Sequence, residues 1–292
     1  MDSVERVPVE RVPFNFGAVQ CKLSDAKAVI IPVPYDSTAS YRTGMRSGPR
    51  EIIEASRNME LYDLELKRDI IDDAPIFTMD EIVCSKESPQ EVVEAVENAV
   101  SWVLLEGKFP LMLGGEHSVT LGSLKACKKK YERLSVVQID AHADMRDSYE
   151  GTGYSHACVM RRVRELCPNA VGVGIRSMSK DEAEYIKEKG LEPYIFGPEF
   201  DEKEIVSKIE NERVYVTFDL DAFDPSIMPA VGTPEPQGIS WKQAISLLRK
   251  VYEEKEVVGA DVVELCPTIG DIASAFTAAK LVYKLVGYKF ML

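Results

Sequence analysis

Three short runs of this sequence end in side chains able to hold metal ions. In Val136-Val137-Gln138-Ile139-Asp140-Ala141-His142-Ala143-Asp144, the residues Asp140, His142 and Asp144 alternate. Alternate side chains of an extended segment share a face, so the three can converge on one point. Val216-Thr217-Phe218-Asp219-Leu220-Asp221 repeats the device with Asp219 and Asp221. In Leu111-Met112-Leu113-Gly114-Gly115-Glu116-His117, two glycines come just before a histidine, where backbone turns sharply or approaches something closely. The chain has only three histidines, and the third, His156, follows Asp144 by twelve residues.

Charge sets what such a cluster needs. Four crowded carboxylates repel and raise one another's pKa unless cations are present, and two divalent ions balance four aspartates. Oxygen-rich ligation with a minority of imidazole favours manganese over zinc, while Co2+ or Ni2+ also suit these ligands. The competing reading makes Asp140 and Asp144 helix caps and leaves Asp219 and Asp221 as loop solvation. Three histidines of three beside acidic strand ends argue against it.

These residues need elements to carry them. Apolar, often β-branched runs at 28–33, 110–113, 134–139, 170–175, 214–218 and 257–263 read as strands buried on both faces. Amphipathic segments such as 89–105, 118–131, 179–189 and 241–252 read as helices between them. The alternation predicts an α/β fold with a mostly parallel sheet and helices on both faces, whose ligands sit beyond the carboxyl ends of the strands. With 292 residues, 45% of them hydrophobic, and no linker-like stretch, residues 1–292 are expected to form a single domain. The one internal repeat, residues 4–8 and 9–13, is too short for a solenoid.

A net charge of −13 argues against nucleic acid or an anionic membrane surface as partner. It suits a small cationic substrate, although acidic surfaces more often serve solubility. The amino terminus does not read as a signal peptide and no run reaches membrane-spanning length, so a cytoplasmic enzyme is expected. Six cysteines without a C-x-x-C pair read as reduced thiols; Cys158 stands out because it follows His156 by two residues.

Taken together, the chain resembles the ureohydrolase family of arginases and agmatinases. The matching stretches are Gly114-Gly115-Glu116-His117-Ser118, Asp140-Ala141-His142-Ala143-Asp144, Ser155-His156, Asp219-Leu220-Asp221-Ala222-Phe223-Asp224-Pro225, Gly232-Thr233-Pro234-Glu235-Pro236 and Asp261-Val262-Val263-Glu264. They run in family order from about residue 30 to the carboxyl terminus. The resemblance implies a three-layer α/β/α arginase-like fold with an eight-stranded sheet, assembled as a homo-oligomer (trimer or hexamer). It implies two Mn2+ per subunit, one with His117 and Asp144, the other with His142 and Asp221, and Asp140 and Asp219 bridging. Bound cations would provide hydroxide near neutral pH, the nucleophile that a resonance-stabilised guanidinium carbon requires. By the same resemblance, Asp144 relays a proton to the departing amine, Glu264 pairs with the guanidinium, and His156 is a mobile-loop proton shuttle or substrate contact.

Glu116 is expected to support His117 without ligating, and Asp224 with Pro225 to shape a turn. Asp36, Arg42, Arg46, Asp147 and Tyr154 are candidates for the entrance, with surface or ion-pair roles as the alternative. Arginases hold the amino-acid end of arginine with a Ser-Gly-Asn segment before the loop histidine; here 151–157 read Gly-Thr-Gly-Tyr-Ser-His-Ala. The missing clamp favours agmatine, cleaved to putrescine and urea. Ala157 and Gln237 also stand where relatives commonly have glycine. Guanidinobutyrate, guanidinopropionate, formiminoglutamate and guanidine remain alternatives, with arginine less favoured. From other classes come a dinuclear phosphoesterase, which should place cationic residues near its metals, and a silent metal-binding paralogue, which should have lost a site residue.

Overall fold

The computed structural model describes residues 12–84 and 88–292, so most of the tandem repeat lies outside the described residues. Among the described residues the strands are β1 (Ala28–Val33), β2 (Tyr62–Asp63), β3 (Arg68–Asp69), β4 (Ile76–Thr78), β5 (Phe109–Gly114), β6 (Ser135–Ile139), β7 (Ala170–Val173), β8 (Ile195–Phe196), β9 (Arg213–Asp219) and β10 (Glu256–Val263). The α-helices are α1 (Gly48–Ser56), α2 (Ile70–Asp73), α3 (Pro89–Leu105), α4 (Thr120–Lys130), α5 (Val159–Leu166), α6 (Lys180–Glu188), α7 (Glu202–Ser207), α8 (Trp241–Glu254) and α9 (Ala273–Met291).

Eight strands form one sheet in the order β4-β1-β5-β10-β9-β6-β7-β8, every pair parallel, while β2 and β3 make a separate antiparallel hairpin. Side chains of β1 alternate between two cores: Ala28 and Ile30 pack with residues of α1, α8 and α9, whereas Val29, Ile31 and Val33 pack with residues of α3, α4 and α5. That alternation makes the three layers, since period-two side chains on a buried strand need apolar cover on both faces. The expected α/β fold with an eight-stranded sheet and helices on both sides is what the chain adopts.

The long buried runs are strands where the pattern puts them, and the helix starts have local causes. Ser88 accepts from Glu91 N ahead of Pro89 to begin α3, and Ser179 with Glu182 and Ser240 with Gln243 form capping boxes for α6 and α8. The run at 170–175 stops short: β7 ends at Val173 because Gly174 takes φ +91°, where a Cβ would lie 2.9 Å from Asp140 O. The sheet edges β4 and β8, three and two residues long, are too short to show a period. Among the described residues no helix is long and apolar enough to cross a membrane.

Candidate metal centre

The last strand in sequence, β10, inserts between β5 and β9, and β6 lies on the other side of β9, so four neighbouring strands deliver their carboxyl ends to one place. After β5 the chain turns through Gly115, where a Cβ would sit 1.9 Å from Tyr35 O. That close approach lets Gly115 N donate to Val33 O and Glu116 N to Tyr35 O, which fixes His117 at the start of a 3-10 turn leading into α4. Asp140 follows β6, and its N–H donates to Val173 O. Asp219 ends β9 and caps the next turn by accepting from Asp221 N at 2.9 Å. Glu264 follows β10.

His117 Nδ1 lies 3.1 Å from Asp140 Oδ2, 3.2 Å from Asp144 Oδ2 and 3.2 Å from Asp219 Oδ2. It is buried and has no hydrogen-bond partner among the described residues. The other ring nitrogen explains why. His117 Nε2 is 2.8 Å from Thr217 Oγ1, whose own proton goes to Asp261 Oδ1 at 2.7 Å. The Thr217 oxygen therefore accepts from Nε2–H, so Nδ1 is the nitrogen that a metal ion would take; without one, burial opposes charging the ring, but the three carboxylates raise its pKa well above the ordinary histidine value. Beside it, His142 Nδ1 lies 2.9 Å from Asp221 Oδ2 and 3.8 Å from Asp140 Oδ1. Potential ligand atoms of His117, Asp140 and Asp219 lie within 4.8 Å of one another, as do those of Asp140, His142 and Asp221, so Asp140 belongs to both groups. Gln138 Nε2 and His142 N donate to the two Asp140 oxygens and orient them.

This cluster is short of positive charge. Burial, then repulsion among the carboxylates, raises Asp140, Asp144 and Asp219 above the ordinary carboxylate range, Asp144 to about 7. Burial pushes Asp221 the same way, but His142 overcomes it and holds Asp221 at about 2. Burial likewise opposes the protonation of His142, yet Asp221 drives the ring up to about 11. A buried ring nitrogen without a hydrogen-bond partner amid buried carboxylates fits divalent metal ions.

Asp144 and Glu264 share a further trait: both hold positive φ, +53° and +70°. Non-glycine residues pay for that conformation, and such outliers cluster at functional sites. Glu264 Oε1 accepts His117 N–H at 2.6 Å, while a Cβ on Gly232 would sit 3.3 Å from Oε2, so the glycine leaves that oxygen room. Burial, then Glu116, raises Glu264 well above its ordinary range.

A cavity of about 240 Å3 opens over the cluster, lined among others by His142, Asp144, Asp219, Asp221, His156 and Glu264. His156 is half-buried there, with its ring edge-to-face on Tyr149 at 5.9 Å. Burial lowers its pKa to about 4. Among the described residues, one arginine and no lysine line the cavity: Arg146, which lies over the Tyr149 ring with its Nε 3.8 Å from Glu182 Oε2.

Several expectations change. Glu116 does not support the His117 ring; its carboxylate turns to Thr38 and Ser118, and Thr217 with Asp261 takes that role. None of the five entrance candidates lines the cavity. Asp36 and Arg46 form an ion pair, and Asp147 pairs with Arg162. Asp224 does shape a turn, accepting from Ser226 and Gly238. Gln237 takes φ +62°, a conformation that glycine adopts without strain. Cys158 is buried and lies outside the lining residues. Arg176 had no motif to reveal it: its guanidinium donates to the carbonyls of Gly174, Asp221, Ala222, Phe223, Glu235 and Pro236, fastening the loop after β9 to the loop carrying Glu235.

The arrangement can bind two divalent ions side by side beneath an acidic cavity of small-molecule size. Known proteins are similar to this chain. The model of the Arginase family matches residues 26–287. The chain is 40% identical over 275 residues to the N(1)-aminopropylagmatine ureohydrolase of Synechocystis sp., covering 91% of this chain and 90% of that protein. It is 40% identical over 246 residues to the agmatinase of Bacillus anthracis, covering 83% and 84%. In structure it is similar to the agmatine ureohydrolase of Thermoplasma volcanium, with TM-score 0.87, 30% identity and coverage of 98% and 97%.

Proposed function

The chain belongs to the Arginase family, whose members are binuclear metal-dependent hydrolases of guanidino C–N bonds, and we propose that it hydrolyses agmatine to putrescine and urea. The observation that carries the reading is the buried Nδ1 of His117 facing three carboxylate oxygens beside the His142–Asp221 pair. The proposed ligands are His117, Asp140, His142, Asp144, Asp219 and Asp221, with two Mn2+ per subunit and Co2+ or Ni2+ as alternatives. By the family resemblance, His117 and Asp144 would hold one ion, His142 and Asp221 the other, with Asp140 and Asp219 shared; Asp140's place in both ligand groups supports its share.

Ions held there would supply the hydroxide that a guanidinium carbon requires near neutral pH. Glu264 holds the guanidinium through Oε2, since Oε1 is engaged by His117 N–H. Asp144, at the cavity wall, carries a proton to the departing amine. His156 lines the same cavity and serves as proton shuttle or substrate contact. The rest of the proposal is one ureohydrolase domain over residues 1–292, in a cytoplasmic trimer or hexamer, a compartment that suits six free thiols. Light scattering on the purified protein tests the assembly.

A second reading is favoured by the Synechocystis relative: N1-aminopropylagmatine, which presents the same guanidinium on a chain longer by an aminopropyl group and would yield spermidine and urea. Urea release by the manganese-loaded protein tests both, across agmatine, N1-aminopropylagmatine, arginine, guanidinobutyrate, guanidinopropionate and guanidine. Urea from none of them overturns guanidino hydrolysis. A higher kcat/KM for N1-aminopropylagmatine than for agmatine replaces the first substrate with the second.

A further inference from the structure

Glu116 is fully buried, and its carboxylate bonds to Thr38 and Ser118, neither of them a proposed metal ligand. Its Oε2 accepts Thr38 N–H at 2.7 Å, and its Oε1 accepts the hydroxyls of Thr38 and Ser118, each at 2.5 Å. Thr38 lies in the loop after β1, yet its hydroxyl oxygen meets a residue 118 positions away: it accepts His156 N–H at 3.1 Å and lies 3.4 Å from His156 Nδ1. A hydroxyl has one proton and two lone pairs. With that proton committed to Glu116, Thr38 has only lone pairs to offer the ring.

We propose that Thr38, held by Glu116, is a positioning residue that keeps His156 in its Nδ1–H tautomer and so leaves Nε2 as the proton acceptor in the cavity. A lone pair facing Nδ1 is favourable only if Nδ1 carries hydrogen. Ser155 Oγ is the other group at Nδ1, at 3.3 Å. It accepts Ala157 N–H at 3.4 Å and its own proton is free to rotate, so it tolerates either tautomer and leaves the choice to Thr38. Among the described residues Nε2 has no hydrogen-bond partner, and the ring lines the cavity. The relay thus joins the ends of three segments, after β1, after β5 and after β6, and sets one proton. An imidazole held in the wrong tautomer cannot serve as the base, however well it is placed.

The catalytic consequence rests on His156 acting in the reaction proposed above; the tautomer does not. The chain has three histidines, so 15N-histidine spectra of the protein loaded with diamagnetic Zn2+ are simple, and His156→Gln identifies the signal. The expected wild-type spectrum shows Nδ1–H for His156, retained in Thr38→Ser and lost in Thr38→Val. In the manganese enzyme, Thr38→Val should lower kcat about 10- to 100-fold with little change in KM, and Thr38→Ser should restore it. A wild-type Nε2–H tautomer overturns the proposal even if Thr38→Val does not fold. Nδ1–H unchanged in a folded Thr38→Val overturns it as well. If the tautomer shifts and urea release does not, the relay stands and the catalytic role of His156 falls.

Discussion

Asp144 and Glu264 are both carboxylates at strained positive φ on the wall of one cavity, yet their surroundings separate their roles. Asp144 Oδ2 faces His117 Nδ1 among the ligand atoms, whereas Glu264 is tied to backbone behind them. Asp144→Asn is expected to lose one metal ion and at least about 100-fold in kcat/KM, while Glu264→Gln keeps two ions and loses a similar factor. Metal analysis alongside urea release checks this, and equal metal loss in both variants would contradict the division. His156 makes a pH prediction. Burial lowers it to about 4, whereas an unfolded histidine titrates near about 6.5. Between those values the unfolded chain takes up a proton that the folded ring refuses, so stability drains away as pH falls from about 6.5 towards 4. Cations bound nearby act in the same direction. The melting temperature of the metal-loaded His156→Gln protein should therefore fall less than wild type between pH 7 and pH 5; parallel decline would show that this ring does not carry the effect.

At the scale of elements, the site depends on loops being fastened to rigid strand ends. Arg176 does so with one guanidinium among six carbonyls, two of them on Asp221 and Glu235. A planar fork of five N–H donors suits that task, and lysine lacks both the number and the geometry. Arg176→Met should cost about 2–4 kcal/mol, because several half-buried carbonyls lose a charged donor at once, and should weaken metal retention. Thermal unfolding with and without added metal measures both, and an unchanged melting temperature would remove Arg176 from this role. The elements themselves differ in how openly the sequence declares them. β1 and α3 match the ends read from the apolar runs because a proline, a serine cap or a switch in period marks each boundary. β4 and β8 left no such mark, since two or three residues at a sheet edge are placed by the strand they pair with.

For the whole molecule, the cluster of buried aspartates is a standing electrostatic cost that metal ions relieve, so folding and metal binding are linked. Removing metal with a chelator should lower stability by about 3 kcal/mol when the free ion was present at a hundred times its dissociation constant, and re-adding metal should restore it. A melting temperature indifferent to chelation would mean that the cluster holds no ion in solution. The sequence by itself determined the parallel α/β class and singled out the strand ends with the six candidate ligands, because all of these follow from local period and spacing. Tertiary structure decided the rest. Only the insertion of β10 between β5 and β9 brings Glu264 to His117, and only the packing of distant segments hands His117 to Thr217 and Asp261 and turns Glu116 towards Thr38 and His156. The physical reason is that a hydrogen bond reports the position of its partner in space, and partners 44 to 147 residues apart leave no period in the chain for a local pattern to reveal.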